Sequence, residues 1–525
     1  MKNHRNLVST ARLAIAAIVI SSLGCDRTSD STPDLEEATV QTVCGSCHAF
    51  PDPSVLPRWS WRAQIERMAV LVDYVPSTTD VPHFDVEDYV TWYESRAPEH
   101  QLMEQPITPN EPGPLRFGRR SMRLGQASGP GVATVSKVEA GLAVANMALG
   151  SVHLLSLAKG PRLIGDAGHP ARIAEADLDG NGMKDLLIAD LGDPMPTDDP
   201  TGRVLVAFQS DDGEFELKTL VEGIGRVSDV RPIDLDLDGD LDLVVASFGF
   251  LREGGVYVLR RQSSETLEFK VERVTNQAGA VSVIVVNDLL PDTGPGFVVA
   301  FAQELESVSL FLPRGPGEYE ERVLYRAPHP AWGTSHLSSA DLDGDGDLDF
   351  IVSNGDTLDD GVAFKPYQGI RWLENRGTGE FRPHLIGRIY GASATEAADL
   401  DGDGDLDIIA SGFLAQIELP VPANAIRLDS VVWFERDGDD WNPWEIESGH
   451  PRHTGLTVID LDDDGRLDVV AAVNRAWDAT PVEEGPSLEV WFNQGPRTSA
   501  NAGTSGRPRR EDNSSKAKQR GQDPM

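Results

Sequence analysis

At 525 residues the chain exceeds what one compact core holds, so two or more units are expected. Hydrophobic residues make up 40% and charged residues 25%, ordinary for a globular protein, while 50 Gly and 35 Pro imply many turns and point towards β-structure. A formal net charge of -38 excludes nucleic acid as a partner, because phosphates need Lys and Arg, so the acidic charge requires another explanation.

Lys2, Arg5 and Arg12 precede the apolar run "LAIAAIVI", which is too short to span a bilayer, and residues 1–24 therefore read as an export signal. "SSLGC" follows and resembles a bacterial lipoprotein lipobox, with Ser22 where that family usually has Leu. The resemblance implies that Cys25 is lipidated and becomes the new N-terminus, tethering the protein through residues 25–35 to the periplasmic side of a bacterial membrane or to the cell surface. Asp26 resembles the inner-membrane retention signal of some such lipoproteins, and an ordinary secretory signal cut nearby would still export the chain. With Cys25 assigned to lipid, Cys44 and Cys47 are the remaining cysteines, so the large remainder folds without disulfides.

Residues 36–97 form a small all-α unit. "CGSCH" matches the C-x-x-C-H haem c attachment motif: two thioethers from Cys44 and Cys47 fix one porphyrin, and His48 ligates its iron. A thioredoxin-type disulfide is the rival, but it needs a βαβ setting and gives His48 no role. "TPDLEEATVQTV" and "DVEDYVTWYESRA" predict two helices, the second carrying Tyr89, Trp92 and Tyr93. "SWRAQIERMAVL" predicts a third that offers Met68 as sixth ligand, with Met103, His83, His100 or an open position as alternatives. The whole stretch resembles the cytochrome c-like segment found before repeat propellers in bacterial surface proteins. Residues 98–113 are Pro-rich and aperiodic, hence a linker.

Internal repetition organises the rest. Acidic motifs begin at Asp177, Asp234, Asp341, Asp399 and Asp460, in steps of 57, 58 and 61 residues around one gap of 107. That gap holds a degenerate copy around Asp288 and Asp292, broken by Pro291, and a weaker copy, "VATVSKVEAGLAVANMA", precedes the first. Seven β-branched and aromatic runs, from "VHLLSL" to "LEVWF", give the same count. Seven four-stranded antiparallel blades in a ring make an all-β seven-bladed propeller over residues 114–496. The last unit stops without its fourth strand, and "PLRFGRRSMRL" stands unclaimed before the first, so it is predicted to complete the last blade and close the ring. The tail from residue 497, rich in Ser, Gly, Arg and Lys, has the composition of a disordered segment.

Each motif places oxygen ligands at loop positions one, three, five and nine with glycine at six. These are Asp177, Asp179, Asn181 and Asp185; Asp234, Asp236, Asp238 and Asp242; Asp341, Asp343, Asp345 and Asp349; Asp399, Asp401, Asp403 and Asp407; and Asp460, Asp462, Asp464 and Asp468. Alternate acids in a tight loop turn inward, and hard oxygen donors at this density select Ca2+, about five ions in all. An EF-hand would need Glu at position twelve, where Val352 stands, and flanking helices. The pattern resembles the FG-GAP or VCBS repeat family, calcium-bearing propellers whose loop lies between the first and second strands of a blade. The resemblance implies that calcium is structural.

Antiparallel meanders put loops after strands one and three on one face and loops after strands two and four on the other. The second face collects His329, Trp332, His336, Asn354, Asp356, Lys365, Tyr367 and Tyr390 from neighbouring blades, a candidate ligand face against which ordinary loop packing is the alternative. The reading is an exported, membrane-anchored electron-transfer protein with an unknown redox partner, whose propeller binds a protein or glycan. A haem-coupled dehydrogenase with its substrate on that face, and a plain adhesion protein, are the alternatives. The chain shows no nucleophile elbow or nucleotide-binding glycine loop to favour an enzyme.

Overall fold

The computed structural model describes residues 35–46, 48–72, 84–99, 113–125, 131–263, 266–291, 293–358, 361–415, 428–476 and 485–497. The expected export signal, Cys25, Cys47, His83, His100, Asp292, Met103 with most of the linker, and the tail beyond residue 497 lie outside these residues.

Three helices make the N-terminal unit. Helix α1 (Glu37–Cys44) buries Val40 and Val43, three residues apart and so on one face, and stops where Gly45 follows Cys44. Helix α2 (Trp61–Val72) turns Trp61 and Ile65 inward. Helix α3 (Val86–Arg96) is capped by Asp85, whose carboxylate accepts from the Glu87 amide, and buries Tyr89, Val90, Trp92 and Tyr93. These side chains form one small core, with Trp61 stacked on Tyr93 at 4.1 Å. The predicted first helix starts later than the sequence pattern suggests, at Glu37, and reaches into the cysteine motif itself.

Seven four-stranded antiparallel sheets follow. Numbered along the chain, blades one to six span residues 132–166, 170–224, 227–275, 280–326, 334–387 and 392–449, each an unbroken meander. Second strands such as Asp185–Asp190 and Phe350 with its neighbours in Asp349–Asn354 are buried on both faces, which is why they read as continuous apolar runs. Outermost strands such as Phe215–Ile224 alternate exposed and covered positions. First strands pack against first strands of adjacent blades and so line the ring's centre.

Blade seven joins both ends of the propeller. Its strands Leu456–Ile459, Asp468–Ala472 and Leu488–Pro496 are completed by Leu115–Met122, which pairs antiparallel with Leu488–Pro496 and sets Arg119 opposite Trp491. Arg119 also reaches Glu489 and Glu447, at 3.1 and 2.6 Å, binding the closing strand to its own blade and to blade six. The closure predicted from the unclaimed segment is the one observed, and it gives blade seven the same four strands as the others.

The helical unit rests on the ring. Val362 and Ala331, from connections of blade five and its approach, belong to the helical core. The Tyr367 hydroxyl donates towards the carbonyls of Val55 and Ala331 at 3.1 and 3.0 Å. Arg67 of α2 meets Glu304 at 3.3 Å and stands over the Phe250 ring.

Candidate functional site

The five acidic loops share one geometry. Each connects the first and second strands of its blade, and the sixth-position glycines Gly182, Gly239, Gly346, Gly404 and Gly465 all lie at φ between 85° and 104°, where a side chain would be strained. Each of these glycines donates its amide to the first aspartate, Asp177, Asp234, Asp341, Asp399 or Asp460, at 2.8–3.2 Å. Carboxylate oxygens then converge within 4.8 Å of one another in five clusters: Asp177, Asp179 and Asp185; Asp234, Asp236 and Asp238; Asp341, Asp343 and Asp349; Asp399, Asp401 and Asp403; Asp460, Asp462 and Asp464. Three like charges this close repel unless a cation lies among them, and an all-oxygen donor set suits a hard divalent ion. Asp345, Asp242, Asp407 and Asp468 are not among these clusters; Asn181 and Asp345 each accept a local backbone amide, from Met183 and Asp347 respectively.

The ninth aspartate has a second job that the motif does not reveal. In every loop one of its oxygens accepts the amide of the second loop residue and the other accepts an amide of the third strand. Asp407 accepts from Leu400 at 3.1 Å and Arg436 at 2.9 Å, and Asp468 from Leu461 at 3.1 Å and Asn493 at 2.8 Å. Asp185, Asp242 and Asp349 repeat the pattern. Burial pushes these carboxyls up, to about 7 at Asp407 and about 6 at Asp242 and Asp349. At Asp185 and Asp349 the same group also faces the acidic cluster.

At the other end of the molecule, Cys44 closes α1 and is half-buried against Val40, Val43 and Tyr93. Burial pushes its thiol up to about 11, with the Tyr93 side chain pulling the other way. The His48 Nδ1 lies 2.9 Å from the Ala49 carbonyl, an arrangement that orients the ring. Burial lowers the His48 pKa, favouring the neutral ring a metal needs. Met68 is partly buried, seven residues beyond Trp61 and so on the inward side of α2.

Of the residues expected as a ligand face, His329, Trp332, Asn354, Asp356, Lys365 and Tyr367 converge, under the helical unit. Trp332 stacks on Tyr367 at 5.3 Å with rings 3° from parallel, and His329 meets both edge-on. Asn354 donates to the carbonyls of Trp332 and Tyr367 and accepts from Arg371, whose guanidinium lies 4.1 Å from the Trp332 ring. Lys365, 2% exposed, donates to the carbonyls of Ala331 and Asp356. Burial brings the His329 pKa down to about 4, with Lys365 and Arg371 adding to the shift. Tyr390 packs apart from this group, edge-on to Phe364, and His336 lies on the first strand of blade five with its Nδ1 accepting from the Thr395 amide. The loops packed here form a seat.

A model of the FG-GAP-like repeat matches residues 177–245 and 354–410, which places two matched segments over acidic loops and their strands. These two segments are similar to the FG-GAP-like repeat. No curated protein matches the sequence. Among solved structures, the Dos1 propeller aligns at 11% identity and a TM-score of 0.42, covering 72% of this chain and 83% of that one. An exotype rhamnogalacturonan lyase, YesX, aligns at 16% identity and a TM-score of 0.34, covering 67% and 72%. Likeness at this level carries no statement about activity. What the FG-GAP-like motif concealed is its brace to the third strand, because the partners of the ninth aspartate are backbone amides, which no side-chain pattern records.

Proposed function

We propose that the protein is an exported electron carrier: a c-type haem unit, lipid-anchored through Cys25, mounted on a calcium-braced FG-GAP-like propeller that serves as scaffold for a protein or glycan partner. The observation that carries this reading is the His48 ring, half-buried, with its pKa lowered by burial and oriented through the Ala49 carbonyl, four residues after Cys44, whose helix packs against Trp61 and Tyr93.

The residues fit a porphyrin on two counts. The Cys44 environment of Val40, Val43, Trp61 and Tyr93 is apolar and aromatic, and the Trp92 Nε1 is buried without a hydrogen-bond acceptor among the described residues, a donor suited to a carboxylate-bearing group. Haem held there would supply reversible one-electron exchange. Cys44 and Cys47 would hold it by thioethers, and His48 and Met68 are the proposed iron ligands. The helices exclude water on one side, and the Tyr367–Trp332 stack supports the unit from the ring.

For the ring, the five oxygen clusters would each hold one Ca2+ and so offset much of the acidic charge. Coproduction with a cytochrome c maturation system tests the haem reading: the full chain should retain haem stain on a denaturing gel, and Cys44→Ala with Cys47→Ala should lose it while keeping the β-rich circular dichroism. An unstained parent chain would reject the reading.

A further inference from the structure

The first strands of the blades line a channel, and register shows which side chains share one level of it. Thr134 pairs with Ala145, Arg172 with Ala189, Asp229 with Ala246, Ser282 with Ala300, His336 with Ser353 and Ala394 with Ser411, each just past the same irregularity. This is therefore one ring of equivalent positions, contributed by six blades. Arg231 stands two residues beyond Asp229 on the same strand.

The charges at this level do not balance. Asp229 is fully buried, and its oxygens accept from the amides of Val230 and Val283, both at 2.9 Å, while Arg231 pairs with it at 3.0 Å. Arg172, in contrast, has no hydrogen-bond or ion-pair partner among the described residues. It is partly exposed to solvent, on a strand that lines the ring's centre. Burial lowers the pKa of Arg172, with the nearby Asp229 carboxylate opposing the shift and Arg231 adding to it, and burial lowers that of His336, with Arg172 and Arg231 adding to the shift. The remaining charged pair nearby is self-contained: Glu396 on blade six accepts from the Val458 amide and faces Lys137. Two guanidinium groups thus share one carboxylate, Asp229, which is already paired with Arg231 and accepts two amides, so one positive charge near the axis is left uncompensated, which is costly unless something neutralises it.

We propose that the channel binds one small oxyanion, a carboxylate or a tetrahedral ion of the sulfate class, held between the Arg172 and Arg231 guanidinium groups with His336 alongside. Guanidinium forks match both oxyanion shapes, and enclosure strengthens the contact. Nothing in this site depends on haem or on the acidic loops, which lie at the opposite ends of these strands from the seat of the helical unit.

Equilibrium dialysis of the full chain against labelled sulfate, and separately against labelled succinate, at constant ionic strength, tests the proposal. Saturable binding of about one equivalent per chain is expected for one of them, sulfate indicating the tetrahedral class and succinate the carboxylate class. Arg172→Gln should weaken it about tenfold or more, the loss expected for one charge-assisted hydrogen bond. Absence of saturable binding for both anions, or equal affinity in parent and Arg172→Gln, would overturn it. Should Arg172→Gln fail to fold, His336→Gln decides: weaker binding supports the site, and unchanged binding overturns it.

Discussion

Replacing Asp407 and Asp403 one at a time by Asn separates two roles that the repeat motif fuses. Asp407 is 1% exposed, and both its oxygens accept backbone amides, so the Asn side chain must turn an NH2 towards an amide N–H and abandon one bond. A lost hydrogen bond to a charged group costs about 1.5–3 kcal/mol. For a ring of roughly 380 residues with an unfolding entropy near 0.8 kcal/mol/K, that corresponds to a melting temperature lower by about 2–4 °C. Asp403 is exposed, and Asn keeps the acceptor for the Asp405 amide, so its cost lies in weakened cation binding. Melting curves in calcium and in excess chelator should therefore diverge. The Asp407→Asn loss should persist in chelator, whereas Asp403→Asn should melt below the parent in calcium and at or above it in chelator, where one repelling charge has been removed. An Asp407→Asn loss that vanishes in chelator would refute the brace and make this residue a metal ligand alone.

Three further outcomes follow from the packing. Tyr367→Phe removes the hydroxyl that meets Val55 and Ala331, at a cost of about 1 kcal/mol, and should raise hydrogen exchange in α2 several-fold without moving the ring's melting temperature; unchanged exchange would remove the seat. Glu306, fully enclosed and accepting from the amides of Gly333 and Thr334, is pushed by burial up to about 8 from 4.5, so the folded state binds the proton more tightly. Its contribution is complete below pH 4.5 and is lost as pH rises through about 8, at up to about 1.4 kcal/mol per pH unit, and Glu306→Gln should flatten the fall in denaturant midpoint between pH 5 and 8. Deleting residues 114–124 leaves Leu488–Pro496 as an unpaired edge, so the protein should elute as aggregates and recover as monomer when the peptide is added back; a monomer with parental melting would contradict the closure.

Strand count, loop placement and closure were legible because they depend on period and on residue types. The bend at Gly404 and its equivalents lies at positive φ, which favours glycine, and the unclaimed segment before blade one had a single vacancy to fill, opposite Leu488–Pro496. The face carrying His329, Trp332, Lys365 and Tyr367 was legible in position and illegible in use. Parity of the loops put these residues together, but nothing local says that Val55 and Val362 will meet there, since that contact joins residues more than three hundred positions apart. Arg172, Asp229 and Arg231 escaped notice for the same reason. Asp229 and Arg231 share one strand while Arg172 lies on its neighbour, and the three become a group only when the blades pack side by side.

Metal content per chain tests the whole account in one measurement. Mass spectrometry of the intact native protein, with elemental analysis of the same sample, should give one iron, retained with its porphyrin after denaturation, and about five calcium ions removed by chelator. A chain purified from a haem-maturing host with no bound iron, and with calcium that does not exceed a surface-binding background, would contradict it.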